Sequence, residues 1–489
     1  MRKQMRSFHT KYIRLLAAFC AGCLLCAPPL NAGAASDSQL QLEHNRSLPI
    51  QSNEVADWPT GPVVGAESAI LIEAETGTVL YAKNIHQRQY PASTTKTLTA
   101  LIVSEQCQLD EIVTFSHDAV FDTPWDSSHI AMDVGQELTL EQALNAVLIR
   151  SANEVCYALA EHITHTTDWL VFAEMMNQRA AELGCLDSHF VNPNGLHDEN
   201  HYTTAYDLAM IGRAFFANEM LCKISLTRRM EFPATEKLPL GKLEINNMQI
   251  IPGGEYAYEN IVGCKSGFTD EAGSCLVSCA EKNGLRLICV VLHDKAPYQY
   301  EDTISLFEYG FSNFEKINVS QTETKYSIDD TGLFYSGNDI FGSSRSFLTL
   351  NKEDFIVLPR TASFDDTESA ISYDTEGENQ AAVINYTYHG VDIGSARVNF
   401  TMDKETGDIF AAFPETDLIE KESDSPVIFI NTLGIRIVLG VVGAVFLIWV
   451  VLQILRRYFA FSRRKRRRRR NARSRRRSPR SRQFRDYDF

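Results

Sequence analysis

The sequence predicts an α/β protein of the α+β kind. A block of helices sits beside one antiparallel sheet, a small all-β domain follows, and one transmembrane helix comes last. Three observations predict this. Strand patterns at residues 68–84 and 274–292 bracket helical periodicity running from Thr94 to about Ala217. From 318 to about 413 the texture changes to short alternating runs between turn clusters, as in "AAVINYTYHGVDIGSARVNFT". Near the C-terminus, "IVLGVVGAVFLIWVVLQIL" runs from Ile437 to Leu455 without a charge. At about 1.5 Å per residue it reaches about 28 Å, against a bilayer core of about 30 Å.

The chain ends carry their own signals. Arg2, Lys3, Arg6, Lys11 and Arg14 precede the apolar run "LLAAFCAGCLLCA" and the small-residue site Ala32-Gly33-Ala34. That is the layout of a secretory signal peptide over 1–34. Residues 456–489 hold 17 Lys/Arg against 2 Asp/Glu. This basic tail follows the apolar span directly, so it is expected in the cytoplasm. Adhesion to anionic lipid explains its charge, and no nucleic acid is expected as a partner. Between the ends, 35–455 carry 25 basic and 60 acidic residues, an acidic body expected outside the membrane.

Residues 35–57 read as a polar linker. "SAILIEAETGTVLYAKN" reads as two strands about Thr76-Gly77. "LTLEQALNAVLIR" and "WLVFAEMMNQRAAELG" carry helical spacing. "SCLVSCAEK", the turn pair Asn283-Gly284 and "LRLICVVL" form a hairpin. The helix "YEDTISLFEYGFSNF" closes the domain 58–317, and the β-rich domain spans 318–413. The acidic stretch 361–380 reads as a loop, and 414–436 as a stalk leading to the membrane. Eight cysteines remain after the signal segment: Cys107, Cys156, Cys185, Cys222, Cys264, Cys275, Cys279 and Cys289. Several lie in apolar runs, which favours free buried thiols.

The chemistry sits in three short motifs. Ser93 and Lys96 lie one turn apart in "YPASTTKTLTALIV", where a helix begins after Pro91. A serine hydroxyl needs a base, and lysine serves only as the neutral amine. Its pKa must therefore fall from about 10.4, which burial and a second cation nearby achieve. Ser151 and Asn153 follow in "LIRSANEVCYALAEHI", and Lys265-Ser266-Gly267 in "IVGCKSGFTDEAGSC". Each match alone is cheap: Ser462/Lys465 and Ser336/Asn338 match too. The ordered set, each member in a fitting context, is specific. Gly267 is read as letting a substrate backbone approach the strand edge.

The order of these motifs is that of serine penicillin-binding proteins and β-lactamases. The sequence around them, with "HFVNPNGLHDENHYTTAYDLAMIGRAF" and "GCKSGFTDEAGSCLVSCAEKNGLRLICVVL", resembles the low-molecular-mass penicillin-binding proteins that are serine-type D-Ala-D-Ala carboxypeptidases. The resemblance is close over about 60–317 and weaker over the β domain. It implies a serine penicillin-recognising fold, with Ser93 as the acylated nucleophile and Lys96 as general base. Ser151 and Asn153 complete the proton network and hold substrate. Lys265 lowers the pKa of Lys96 and, with Ser266, meets the terminal carboxylate. The oxyanion hole is implied to use the main-chain N–H groups of Ser93 and Phe268. The implied partners are peptidoglycan stem peptides and β-lactam antibiotics, at a bacterial cell membrane crossed once. No cofactor or metal is implied. His162, His165, His189, His197 and His201 match no metal spacing, and Asp365, Asp366 and Glu368 read as a solvated loop.

The chain departs from that family's pattern twice. Ser266 stands where Thr is more usual, and Gln299 where an arginine is common. Two rival functions are a β-lactamase-like hydrolase, for which Glu141 and Asn145 supply a literal motif in the wrong place, and a catalytically weak wall-binding homologue marked by Gln299.

Overall fold

The computed structural model describes residues 37–232, 241–326 and 348–400, apart from 376 and 378. The signal segment, stalk, apolar span and basic tail lie outside the described residues. The chain divides after Phe413, and everything described belongs to the first unit.

That unit opens with helix α1 (Asp37–Ser47) and then the hairpin β1 (Ser68–Glu73) and β2 (Val79–Lys83). A helical block follows: α2 (Lys96–Gln106), the short pair β3 (Ile112–Thr114) and β4 (Glu137–Thr139) with α3 (His117–Phe121) between them, then α4 (Leu140–Ile149), α5 (Asn153–Thr164), α6 (Trp169–Glu182), α7 (Ala205–Ala217) and α8 (Glu219–Leu226). After the small hairpin β5 (Arg229–Phe232) and β6 (Lys242–Ile245), the chain returns through β7 (Ile261–Thr269), β8 (Gly273–Lys282) and β9 (Leu285–Asp294), and α9 (Tyr298–Asn313) closes it. The main sheet has the order β2-β1-β9-β8-β7, with antiparallel neighbours throughout.

This sheet is covered on both faces, which is why its strands read as nearly continuous apolar runs. Along β1, Ile70 and Ile72 pack into the helical block, while Ala69 and Leu71 pack on the α9 side. Along β9, Ile288, Val290 and Leu292 take the first face and Leu287, Cys289 and Val291 the second. Helix α9 lies close on the sheet at Gly310, where a Cβ would stand 2.5 Å from Leu287 and 2.7 Å from Leu71. The β8–β9 turn is made by Asn283 (φ 54°) and Gly284 (φ 78°), the two left-handed residues that a tight hairpin requires. None of the eight cysteines is paired; seven are buried and Cys107 is half-buried.

The second sheet holds β10 (Phe314–Asn318), β12 (Phe355–Pro359), β15 (Val391–Phe400), β14 (Gln380–Tyr388) and β13 (Glu368–Ser372) in that order. The one-turn helix α10 (Val319–Thr322) follows β10, and the short β11 (Leu348–Leu350) pairs with β15. This sheet starts at Phe314, before the expected boundary at 318, because β10 leaves α9 directly and pairs with β12. Two further readings change. The stretch 361–380 is not all loop, since Glu368–Ser372 is a strand paired with β14. That strand carries one charge, Glu368, and the adjacent Ala370 and Ile371, which a search for acidity alone hides.

The expected linker 35–57 also differs. Its polar residues are built into the fold: the Asn45 amide donates to the carbonyls of Gly65 (3.0 Å) and His293 (3.2 Å), and the Lys83 ammonium donates to the Asn45 carbonyl (2.8 Å). Trp58 belongs to the core shared by α9 and the second sheet. Its indole N–H donates to Leu80 O (2.9 Å), and its ring meets Phe314 (5.2 Å) and Tyr388 (6.3 Å). Replacing Trp58 by alanine should lower stability by about 3–5 kcal/mol, the usual cost of emptying a large core site. Denaturant unfolding measures this, and a loss below about 1 kcal/mol would show that the ring joins nothing.

Candidate active site

Ser93 lies in a 3-10 turn, Ala92–Thr95, that runs straight into α2. Two glycines crowd this turn. A Cβ on Gly195 (φ +81°) would stand 1.8 Å from Ala92 O. One on Gly267 would stand 2.7 Å from Ser93 N, 2.8 Å from Pro91 O and 2.9 Å from Thr94 N. Gly267 therefore makes room for the serine's own turn. The contact also brings the main-chain N–H of Ser93 within one residue of Phe268, whose ring is 64% exposed. Helices α2 and α5 both begin without a side-chain cap. The first N–H of each is met by main chain instead, Lys96 N–H by the 3-10 turn and Asn153 N–H by Ser128 O, and the helix dipoles leave partial positive charge at this end of the fold.

Lys96 is fully buried and gathers oxygens from three segments. Its Nζ donates to Ser93 Oγ (2.9 Å), Asn153 Oδ1 (2.7 Å) and the Asn194 carbonyl (2.5 Å). Asn153 is the first residue of α5, and its N–H bonds Ser128 O (2.9 Å). Ser151 stands two residues earlier with φ 59°, a left-handed conformation uncommon for serine. That places its hydroxyl 3.2 Å from Lys265 Nζ, which also donates to Ser266 O (2.6 Å). Ser93, Lys96 and Asn153 thus form one hydrogen-bonded group, and Lys265 with Ser151 a second beside it. Ser266 is half-buried on the same strand.

Both lysines are held well below their ordinary range. Burial pushes Lys96 down to about 8. Burial, and then the Lys96 charge, push Lys265 down to about 7. The expectation that Lys265 tunes Lys96 therefore changes in emphasis. Desolvation is the main cause at Lys96, and the repulsion between the cations falls on Lys265. Physically that repulsion is a property of the pair, whose members lose protons in linked steps.

Several contributors were not singled out in the sequence. Asn192 Oδ1 accepts from the N–H groups of Gly195 (2.7 Å) and Asn194 (3.3 Å), folding the loop that offers Asn194 O to Lys96. The "NPNGL" turn signal is the mark that pointed there. His201 lies behind the nucleophile turn: its Nδ1 accepts from Val191 N (3.2 Å) and its Nε2 faces Thr95 Oγ1 (2.8 Å). Burial pushes its pKa down to about 3, so the ring is neutral, with its proton on Nε2. Glu154, buried beside Asn153, accepts from Ile130 N (2.7 Å) and anchors the segment before β4. Glu141 opens α4 as an exposed residue. Gln299 is buried in the first turn of α9 and hydrogen-bonds to none of Ser93, Lys96, Ser151, Asn153 or Lys265.

The ammonium chemistry is directly measurable. In protein labelled at lysine Cε, the resonances of Lys96 and Lys265 should titrate near pH 8 and pH 7. Free lysine titrates at about 10.4. Buried Lys83 adds a third low titration near 8, so Lys96→Ala and Lys265→Ala make the assignments. Titration of both site lysines above pH 10 contradicts the buried geometry.

The family model Peptidase_S11, D-alanyl-D-alanine carboxypeptidase, matches residues 55–296. The D-alanyl-D-alanine carboxypeptidase DacF of Bacillus subtilis is 33% identical over 257 residues, covering 51% of this chain and 63% of that protein. The chain therefore spans a little less than two thirds of that relative. DacD of Escherichia coli is 32% identical over 330 residues, covering 65% of this chain and 79% of its own length. Among solved structures, penicillin binding protein 5 from Haemophilus influenzae aligns with a TM-score of 0.56 at 25% identity, over 71% of this chain and 99% of that one. The fold is thus that of penicillin-binding proteins, and the chain belongs to the Peptidase_S11 family of D-alanyl-D-alanine carboxypeptidases.

Proposed function

We propose that this chain is a serine-type D-Ala-D-Ala carboxypeptidase. It removes the terminal D-Ala of peptidoglycan stem pentapeptides through an acyl-enzyme on Ser93, and it binds penicillin at the same serine. The observation that carries this reading is the buried Lys96 nitrogen 2.9 Å from Ser93 Oγ, with a pKa brought down to about 8. At pH 7 about a tenth of such a lysine is already free base, against well under a thousandth at an unperturbed pKa. The family membership and the penicillin-binding-protein fold support the same reading.

In the proposed reaction Lys96 takes the Ser93 proton as Oγ attacks the carbonyl of the D-Ala-D-Ala bond. The main-chain N–H groups of Ser93 and Phe268 receive the oxyanion. The leaving D-Ala amine takes a proton through the Ser151 hydroxyl, which bonds Lys265. Asn153 bonds the base and holds the substrate amide beside it. Lys265 and the Ser266 hydroxyl meet the terminal carboxylate. Water then attacks the ester, its proton passing to the same base, and releases the shortened stem peptide. In a β-lactam the cleaved amide belongs to a ring, so the leaving amine stays tethered and the acyl-enzyme persists.

We further propose that the enzyme domain lies outside a bacterial cell membrane. The span 437–455 crosses it once, and the basic tail stands in the cytoplasm against anionic lipid. The charge-free run and the 17 cationic residues after it support this. Among the described residues no helix is long and apolar enough to cross a membrane, and the span lies outside them.

Ser93→Ala should abolish both D-Ala release from a D-Ala-D-Ala peptide and covalent labelling by a fluorescent penicillin. Wild-type labelling with the adduct on another residue would sink the assignment. For topology, external protease on intact cells should remove the enzyme domain and spare a tag fused after Phe489. Loss of the tag reverses the orientation.

A further inference from the structure

Helices α2 and α5 each bring a site residue, Lys96 and Asn153, at their first position. About 16 Å along α2, at the other ends of both helices, a different set of side chains meets. Cys107 follows the last residue of α2, His162 lies in the last turn of α5, and Glu111 immediately precedes β3. Their Sγ, ring nitrogen and carboxylate oxygen all lie within 4.8 Å of one another, and all three residues are half-buried. His162 Nε2 is already 2.8 Å from Glu111 Oε2. The other carboxylate oxygen of Glu111 accepts the Gln108 N–H, which fixes the carboxylate's orientation.

We propose that Cys107, Glu111 and His162 form a binding site for a divalent transition-metal ion of the zinc class. One thiolate, one imidazole and one carboxylate are the mixed donor set that such an ion takes, in preference to calcium or magnesium. Tetrahedral bonds of about 2.0–2.3 Å put donors about 3.3–3.8 Å apart, so the three side chains need to close by no more than about 1.5 Å. On binding, the Cys107 thiol releases its proton to solvent and the sulfur forms the metal bond, while the proton shared by His162 Nε2 and Glu111 Oε2 leaves for solvent or the other ring nitrogen, so that the imidazole coordinates as the neutral ring. A water molecule takes the fourth position. The Gln108 N–H supplies the outer-shell contact that metal-bound carboxylates generally keep. The other seven described cysteines are buried, and Cys156, Cys185, Cys222 and Cys275 donate to main-chain carbonyls. Among the described residues Cys107 is the one half-open thiol, and it is the one placed beside an imidazole and a carboxylate. An ion there ties together the far ends of the two helices that present Lys96 and Asn153. The expected consequence is a stiffer helix pair and a higher unfolding temperature when the metal is present.

Sequence spacing hides this site, because its ligands come from 107, 111 and 162. The test uses the full chain, reduced and freed of metal by a chelator, and titrated with cobalt(II). A near-ultraviolet thiolate-to-cobalt absorbance should saturate at one equivalent and be displaced by zinc. It should vanish in Cys107→Ser. Competition with a chromophoric chelator should show zinc bound with a micromolar or tighter Kd, weakened at least about tenfold in His162→Ala. Circular dichroism checks that each variant is folded. Absence of the sulfur band in the wild-type chain overturns the proposal. So does a band that survives in Cys107→Ser, or equal zinc affinity in His162→Ala.

Discussion

The site depends on burying one lysine. Lys96 Nζ has no access to water, so each of its protons must find an oxygen inside the protein. The three oxygens come from the turn before α2, the start of α5 and the loop before α7. Those segments are far apart in sequence, and the ammonium is the point where they converge. The two crowding glycines serve the same end. Without a bare Cα at 195 and at 267, the nucleophile turn would be pushed away from the oxygens that hold it. Close packing, more than any single hydrogen bond, sets the distance between Ser93 and its base.

A second lysine in the same cavity then acts by the charge it shares. Two buried cations repel, and the release of one proton eases the retention of the other. Lys265 sits on β7, one of the two edge strands of the main sheet, with the Ser151 hydroxyl 3.2 Å from its nitrogen. In the proposed reaction that hydroxyl is the one that passes a proton to the leaving amine. The half-buried positions of Ser93, Ser151 and Ser266 leave the hydroxyls accessible, while the nitrogens behind them stay dry. Hydroxyls lose less on partial burial than ammonium groups lose on full burial, so this layering puts the desolvation where it lowers a pKa.

Much of this was legible in the chain itself. The helical block between two sets of strands, the Asn283-Gly284 hairpin and the order of Ser93, Lys96, Ser151, Asn153 and Lys265 rest on local periodicity, turn chemistry and spacing. What escaped rests on long-range contact. The packing of the Ser93 turn on Gly267 is one such contact, and nothing nearby in sequence shows it. Asn45 looked like part of a linker, because its partners are Gly65 and His293. His201 stood among five histidines judged by spacing, whereas its role follows from burial behind Thr95. The carbonyl of Asn194 is invisible to any motif, since every residue has one. Strand Glu368–Ser372 was masked by its acidic neighbours, although its partner strand was read correctly as alternating.

Lys83 shows why the neighbour, and not the shifted pKa, marks the base. It too is brought down to about 8 by burial. Its nitrogen donates to the carbonyls of Asn45, Val64 and Ala66 at 2.7–2.9 Å. Asp302 binds the N–H groups of Gly65 and Ala66 from the other side, and burial beside Asp302 pushes Asp294 up to about 8. Every contact of that ammonium is a main-chain acceptor with no proton to give up. Deprotonating Lys83 would leave one of those three carbonyls without its donor in a dry interior, at about 1–3 kcal/mol. Deprotonating Lys96 leaves the Ser93 hydroxyl free to reverse its bond and donate to the amine. The same desolvation thus lowers both lysines to about 8, and what sets Lys96 apart is the single hydroxyl beside it that has a proton to give.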